Sequence, residues 1–179
     1  MAEEKKFNDI VIEKVPEGNY AVVSINRPDK LNSLSTDTLR EISEALDMLA
    51  VDPEARCVVL RGTKNFTKKP AFSAGADLAA PMPGGLNYTV PVHNDLFMQI
   101  KHKYYDLIEA FPKPLIAAVD GYAFGGGCEL TLVCDLVIAS KRSEFGFPEI
   151  KRGIFPANGG TQRMVQHIGM ARTKLMIYT

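Results

Sequence analysis

Two glutamates are placed where a carboxylate can do chemistry. Glu129 follows three glycines in Gly121-Tyr122-Ala123-Phe124-Gly125-Gly126-Gly127-Cys128-Glu129-Leu130, between a buried-strand pattern and a stretch of helical character. A helix N-terminus offers unpaired N–H donors and a positive dipole end, which stabilise developing negative charge. A carboxylate in that first turn favours the dipole whether or not it moves a proton, so capping and acid/base work both suit Glu129. Glu149 is a lone acid in Phe145-Gly146-Phe147-Pro148-Glu149-Ile150. Apolar surroundings raise a carboxyl pKa toward neutrality, where it transfers protons well. A surface acid between two hydrophobic side chains is the plainer alternative. The turn Phe72-Ser73-Ala74-Gly75-Ala76-Asp77-Leu78 is built of small residues. It can bring backbone N–H groups against a ligand, or simply turn tightly.

Other chemistries find no anchor. The triple glycine is not followed by Lys-Ser or Lys-Thr, so it is no phosphate loop, and it lacks the dinucleotide spacing. His93, His102 and His167 are scattered, with no acid or cysteine at ligand spacing, and no metal site is expected. There is no G-x-S-x-G elbow. Cys128 has no histidine positioned to activate it, so packing is its expected role.

The elements that must position these residues can be read from periodicity. Tyr20 to Asn26 is apolar and β-branched and reads as a buried strand stopped by Arg27-Pro28-Asp29. Ser35 and Thr36 cap a helix with Leu39, Ile42, Leu46 and Leu49 on one face, ended by Asp52-Pro53. Cys57 to Leu60 reads as a short strand. Residues 79 to 92 hold three prolines and two glycines without period and read as a mobile surface loop. His93 to Phe111 is helical in spacing, with Leu96, Ile100, Leu107 and Phe111 along the expected buried face. Leu115 to Val119 and Leu136 to Ala139 read as two more buried strands. Asn158 and Thr161 sit near the start of a last helical region, bent around Gly169. This alternation indicates an α/β domain with largely parallel pairing, in which a ββα unit recurs.

At 179 residues and 46% apolar composition the chain suffices for one domain with its own core. Twenty-one basic residues balance 21 acidic ones, which argues against a bulk nucleic-acid partner. The basic run Lys64 to Lys69 reads as a solvated loop. The odd cysteine count (Cys57, Cys128, Cys134), without C-x-x-C, fits a reduced intracellular protein. The polar N-terminus is no signal peptide, and no window approaches roughly eighteen apolar residues, so no membrane segment is expected. The expected location is cytoplasmic, or inside an organelle after processing.

Five segments in this order resemble the crotonase (enoyl-CoA hydratase/isomerase) superfamily: NRPDKLNSL at 26–34, FSAGADL at 72–78, GYAFGGGCEL at 121–130, CDLVIAS at 134–140 and FGFPEIKRGIFPANGGTQR at 145–163. The resemblance runs from about Tyr20 to Thr179. It implies that residues 1–179 form a crotonase-like acyl-CoA-binding core domain, α/β in class, a spiral of ββα units. It implies an oxyanion hole from the N–H groups of Ala76 and Gly126. Coenzyme A would run past Lys30, Leu31, Asn32 and Leu34, and past Ala74, Ala76, Asp77, Leu78 and Ala79, with Gly126 also lining the site. Family hydratases use two glutamates matched by Glu129 and Glu149, the first orienting and deprotonating water, the second delivering a proton to the α-carbon. Members that only shift a double bond usually lack the first acid. Expected, then, is an enoyl-CoA hydratase forming a 3-hydroxyacyl-CoA, with no cofactor beyond the CoA of its substrate. The alternatives are an isomerase, a hydratase of cyclic or aromatic acyl chains, or an inactive CoA-binding module.

Two departures accompany the resemblance. Ala157 stands where many hydratases carry glycine, and, not being an acid, it counts against the family's thioester hydrolases. Family chains also commonly continue for about eighty residues more, on the usual single-domain scale, as helices that cover the acyl pocket and build a trimer. The chain is expected to lack that helical part, and the full-length form to be a homo-oligomer, a trimer or hexamer.

Overall fold

The computed structural model describes residues 6–67, 69–81, 83–85 and 90–179. In chain order the strands are β1 (Ile10–Val15), β2 (Tyr20–Ile25), β3 (Cys57–Gly62), β4 (Ala71–Ser73), β5 (Leu115–Val119), β6 (Tyr122–Phe124), β7 (Leu136–Ala139) and β8 (Glu144–Gly146). The helices are α1 (Thr36–Ala50), α2 (Pro91–Glu109), α3 (Gly126–Leu132), α4 (Gly160–Ile168) and α5 (Met170–Tyr178). Strands β1-β2-β3-β5-β7 form one sheet and β4-β6-β8 a second. All pairings are parallel except β1 with β2.

The order of deposition is what makes a spiral. Each turn lays one strand in the large sheet, the next in the small sheet, and then a helix: β3-β4-α2, β5-β6-α3 and β7-β8-α4. The first turn, β2 to α1, reaches the small sheet with one residue, where Leu34 bridges Ala76 in parallel. Side chains from successive turns therefore meet between the sheets, and buried Leu34, Leu60, Phe72, Ala117 and Leu130 share one core.

Helix α1 forms as its sequence dictates. Ser35 caps it, its hydroxyl accepting from Thr38 N–H at 3.0 Å, while Thr38 Oγ1 accepts from Ser35 N–H at 3.3 Å. Its expected face of Leu39, Ile42, Leu46 and Leu49 is fully buried. At its far end Lys113 donates to three carbonyl oxygens, Leu49 O and Asp52 O at 2.6 Å and Ala55 O at 2.7 Å. A cation there satisfies orphan carbonyls and opposes the negative dipole end.

Several expectations are corrected. Strand β1 was unread, and β6 and β8 are three-residue strands too short to show a period. Helix α2 begins at Pro91, inside the expected loop, and residues 83–85 make a short 3₁₀ turn; residues 82 and 86–89 of that loop lie outside the described residues. The inward face of α2 is Phe97, Lys101, Tyr105 and Ile108, while Leu96 and Leu107 are exposed. Ile100 is partly buried and Phe111 packs against the core, so the apolar periodicity is offset from the buried face, part of which a lysine and a tyrosine occupy. Strand β7 is not buried: Leu136 is 59% and Ile138 63% exposed, because β7 is the sheet's edge. No described helix is long and apolar enough to cross a membrane.

Lys113→Met should lower stability by about 1.5–3 kcal/mol, the usual worth of hydrogen bonds from a charged donor. Urea unfolding reads this as a lower midpoint at constant slope. An unchanged midpoint would show that the three carbonyls do not need the lysine.

Candidate active site

The junction of β4, β6 and α3 brings two backbone amides together. In the parallel bridge to Leu34, Leu34 N–H donates to Gly75 O and Asp77 N–H donates to Leu34 O. Those bonds use the neighbours of Ala76 and leave its own N–H facing away. Gly126 opens α3, so its N–H has no acceptor within the helix. Among the described residues neither N–H has an acceptor. A Cβ built on Gly126 would stand 3.6 Å from Ala76 N, and one on Gly75 would stand 3.3 Å from Gly126 N. The two donors are thus near neighbours, able to hold one anionic oxygen between them.

The approach to α3 demands glycine. Gly125 has φ +51° and ψ −124°, and a Cβ on it would lie 3.0 Å from Glu149 Oε1. The same turn therefore seats the carboxyl of Glu149. Behind it, buried Tyr105 donates its hydroxyl to Gly126 O at 2.8 Å. Burial, with Glu129 and Glu149 nearby, holds that phenol well above its ordinary pKa, so it remains a donor.

Ala76 is fixed from the other side. Arg27 Nη2 lies 2.8 Å and Lys30 Nζ 3.1 Å from Asp77 Oδ2, and Ala79 N–H donates to Asp77 Oδ1 at 3.1 Å. Burial pushes the Asp77 pKa up, but these donors together outweigh it and leave the group below its usual value. Arg27 also donates to Ser33 O and pairs with Asp9. Two of the segments quoted above, 26–34 and 72–78, are thereby locked to each other.

Glu129 is almost completely buried and fully engaged. Its Oε1 accepts from Asn158 N–H at 2.7 Å and Gly160 N–H at 2.9 Å, and its Oε2 from Asn158 Nδ2 at 2.8 Å. Gly160 is the first residue of α4, so the carboxylate sits on the N-terminus of α4 rather than capping α3. His102 Nε2 bonds Ala157 O, tying α2 to the same turn.

Glu149 is half-buried and stands in the opposite condition. Among the described residues its Oε2 has no hydrogen-bond partner, and neither has Asn158 Oδ1, although both are buried. Burial raises the Glu149 pKa to about 7, against a hydrogen bond from its own N–H, with the charge of Glu129 adding to the rise. One acid is held by three donors; the other is under-solvated and titrates near neutrality. The two carboxyls therefore differ in their hydrogen bonding as well as in their burial. Cys128 and Cys134, pushed up to about 12 by burial, remain thiols. Cys128 packs with Leu132, Phe147 and Met164, as expected.

The expected site residues divide by placement. Ala76, Gly126, Glu129 and Glu149 are brought together. Lys30, Leu78 and Ala79 lie on the exposed rim. Asn32 is turned inward, its Nδ2 on Ala71 O at 2.7 Å and its Oδ1 accepting from Arg27 N–H, and Leu31 and Asn32 both take positive φ. Leu34 is core, and Ala74 N–H is spent on Leu31 O. Arg27, Lys101, Tyr105 and the Asn158 amide were not read as site residues. Among the described residues no cluster of His, Cys, Asp and Glu could hold a metal.

Comparison with known proteins places this geometry in a family. The family model for enoyl-CoA hydratase/isomerase matches residues 16–179. The chain belongs to the enoyl-CoA hydratase/isomerase family. It is 38% identical over 174 residues to a short-chain-enoyl-CoA hydratase of Clostridium acetobutylicum, covering 97% of this chain and 62% of that protein. It is 39% identical over 173 residues to a crotonyl-CoA hydratase of Syntrophomonas wolfei, again covering 97% and 62%. The crystal structure of an enoyl-CoA hydratase subunit from Geobacillus kaustophilus superposes with a TM-score of 0.84 at 34% identity, over 97% of this chain and 62% of that one. The family member described here thus spans less than two thirds of the length of these relatives.

Because Glu149 titrates near 7 when folded and near 4.5 when unfolded, the folded state binds more protons in that window. Stability relative to Glu149→Gln should therefore fall as pH rises from about 4.5 to 7 and level off above it. Urea midpoints of the two proteins across that range check this. Parallel curves would mean that Glu149 ionises normally.

Proposed function

We propose that the protein is an enoyl-CoA hydratase, adding water across the 2,3 double bond of an enoyl-CoA thioester. The observation that carries this is the pair of unlike glutamates beside two adjacent amides with open N–H groups. In the proposed reaction the Ala76 and Gly126 amides hold the thioester oxygen as it gains enolate charge. Losing one such donor costs about 2.7–4 kcal/mol of transition-state stabilisation. Glu129, anchored on Asn158 and Gly160, keeps a lone pair on Oε2 for a water and takes its proton as oxygen bonds to C3. Glu149, protonated in part at neutral pH, gives a proton to C2. Neither acid changes net protonation over the cycle once the two exchange a proton through the next water. No cofactor enters this scheme, since the substrate brings the coenzyme A. The exposed Lys30 and the rim at Leu78 and Ala79 are the surface past which that group would run.

The names of the relatives add support for a short acyl chain. We further propose a cytoplasmic protein, supported by three free thiols of which two are buried and unreactive. We also propose a homo-oligomer, a trimer or hexamer, supported by the apolar surface of Leu136, Ile138, Phe155, Leu175 and Tyr178.

Hydration is followed by loss of the enoyl absorbance of crotonyl-CoA. Glu129→Gln and Glu149→Gln should each lower kcat by about 10²–10⁴-fold, the usual worth of one acid/base group, with a smaller change in KM. Wild-type turnover by either variant would remove the mechanism. Static light scattering should give a mass of three or six chains; a monomer would overturn the oligomer.

A further inference from the structure

The inward face of α2 carries a cation. Lys101 is only 8% exposed, on the same face as Phe97, Tyr105 and Ile108. Lysine is almost never this buried without a partner. Among the described residues Lys101 forms no ion pair; its contact is the Phe97 ring, 4.9 Å from the ammonium to the centroid. Glu129 acts on it through space, and among the described residues no hydrogen bond joins them. Burial accordingly holds the lysine below its ordinary pKa, with Glu129 pulling the other way.

Its position relative to the reacting atoms follows from the helix. Lys101 lies four residues, about 6 Å along the axis, from Tyr105, whose hydroxyl supports the carbonyl of Gly126. With the thioester oxygen on the Ala76 and Gly126 amides and C3 facing Glu129, as in the proposed reaction, the acyl chain beyond C3 is the part of the substrate that a cation sensing the Glu129 charge from this face of α2 would meet. A hydrocarbon tail asks only for apolar walls there. Burying an ammonium instead is costly unless a counter-charge arrives.

Resting on the hydratase reading for the placement of the acyl chain, we infer that Lys101 is a specificity-determining residue that pairs with a second carboxylate on the substrate, so that the preferred substrates are enoyl-CoA thioesters of dicarboxylic acids. The pairing satisfies the ammonium with a charge-assisted hydrogen bond and also screens the incoming carboxylate from Glu129 and Glu149. A neutral chain leaves the cation unpaired, which disfavours it in the way a polar pocket rejects a substrate lacking the matching group.

The test compares two substrates that differ only at the far end, 2-hexenedioyl-CoA and 2-hexenoyl-CoA. The wild type should show kcat/KM at least about tenfold higher for the diacid thioester, the discrimination expected of one charge-assisted hydrogen bond. Lys101→Met should reduce that ratio at least about tenfold, with Lys101→Gln in its place if the methionine variant does not fold. A wild-type ratio near or below one overturns the assignment while leaving hydration intact. So does a Lys101 variant that slows both substrates alike, which is the mark of a packing role. A wild type that hydrates neither thioester instead overturns the hydratase reading. Calorimetry with saturated adipyl-CoA and hexanoyl-CoA then decides the lysine alone. Tighter adipyl-CoA binding that disappears in the variant upholds it, and equal binding removes it.

Discussion

Two backbone N–H groups left without acceptors inside a packed junction are the constraint on which the other features of this fold depend. A buried amide without a partner costs on the order of 1–3 kcal/mol, and ordinary secondary structure removes such groups. Here the spiral preserves them. Ala76 sits three residues beyond the end of β4, where its neighbours bond Leu34 and it does not. Gly126 sits at the first position of α3, where no earlier carbonyl is in line. Alternation of strands between two sheets brings these two chain positions, fifty residues apart, to one point. Asp77 and Tyr105 then hold each from behind, one through Arg27 and Lys30 and the other through Gly126 O.

The same junction sorts two chemically identical carboxyls. Glu129 is the more buried, and three donors at the start of α4 meet its two oxygens. Glu149 is less buried but among the described residues has an oxygen with no donor, and burial and the Glu129 charge raise its pKa.

Much of this was legible where the signal is local. A glycine-rich turn before a helix announces α3, and the ring and proline company of Glu149 announces its raised pKa. The α1 face was legible because Leu39, Ile42, Leu46 and Leu49 mark it at helical spacing, although Thr38, Glu41 and Ser43 are buried beside them. What escaped has a common cause. The anchoring of Glu129 depends on a turn 29 residues later folding back, which no spacing within one element encodes. The inward face of α2 escaped because periodicity counts Lys101 and Tyr105 as polar, although both are buried. Strand β7 was misread in the other direction. An uninterrupted apolar run is the same letter pattern whether the covering surface comes from the same described residues or from elsewhere.

That failure on α2 is informative about the site itself. Sequences that fold well agree at every level, and a local conflict marks a position kept for something other than folding. Along α2 the conflict is confined to two residues of the inward face, while Leu96 and Leu107 are exposed. Tyr105 resolves its conflict within the chain, through the hydrogen bond to Gly126 O. Lys101 does not, its partners among the described residues being the Phe97 ring and the through-space charge of Glu129. That face still carries Phe97 and Ile108, so burial of apolar surface and the two polar side chains orient α2 together. Through Tyr105 the inward face of α2 helps to hold the turn that opens α3.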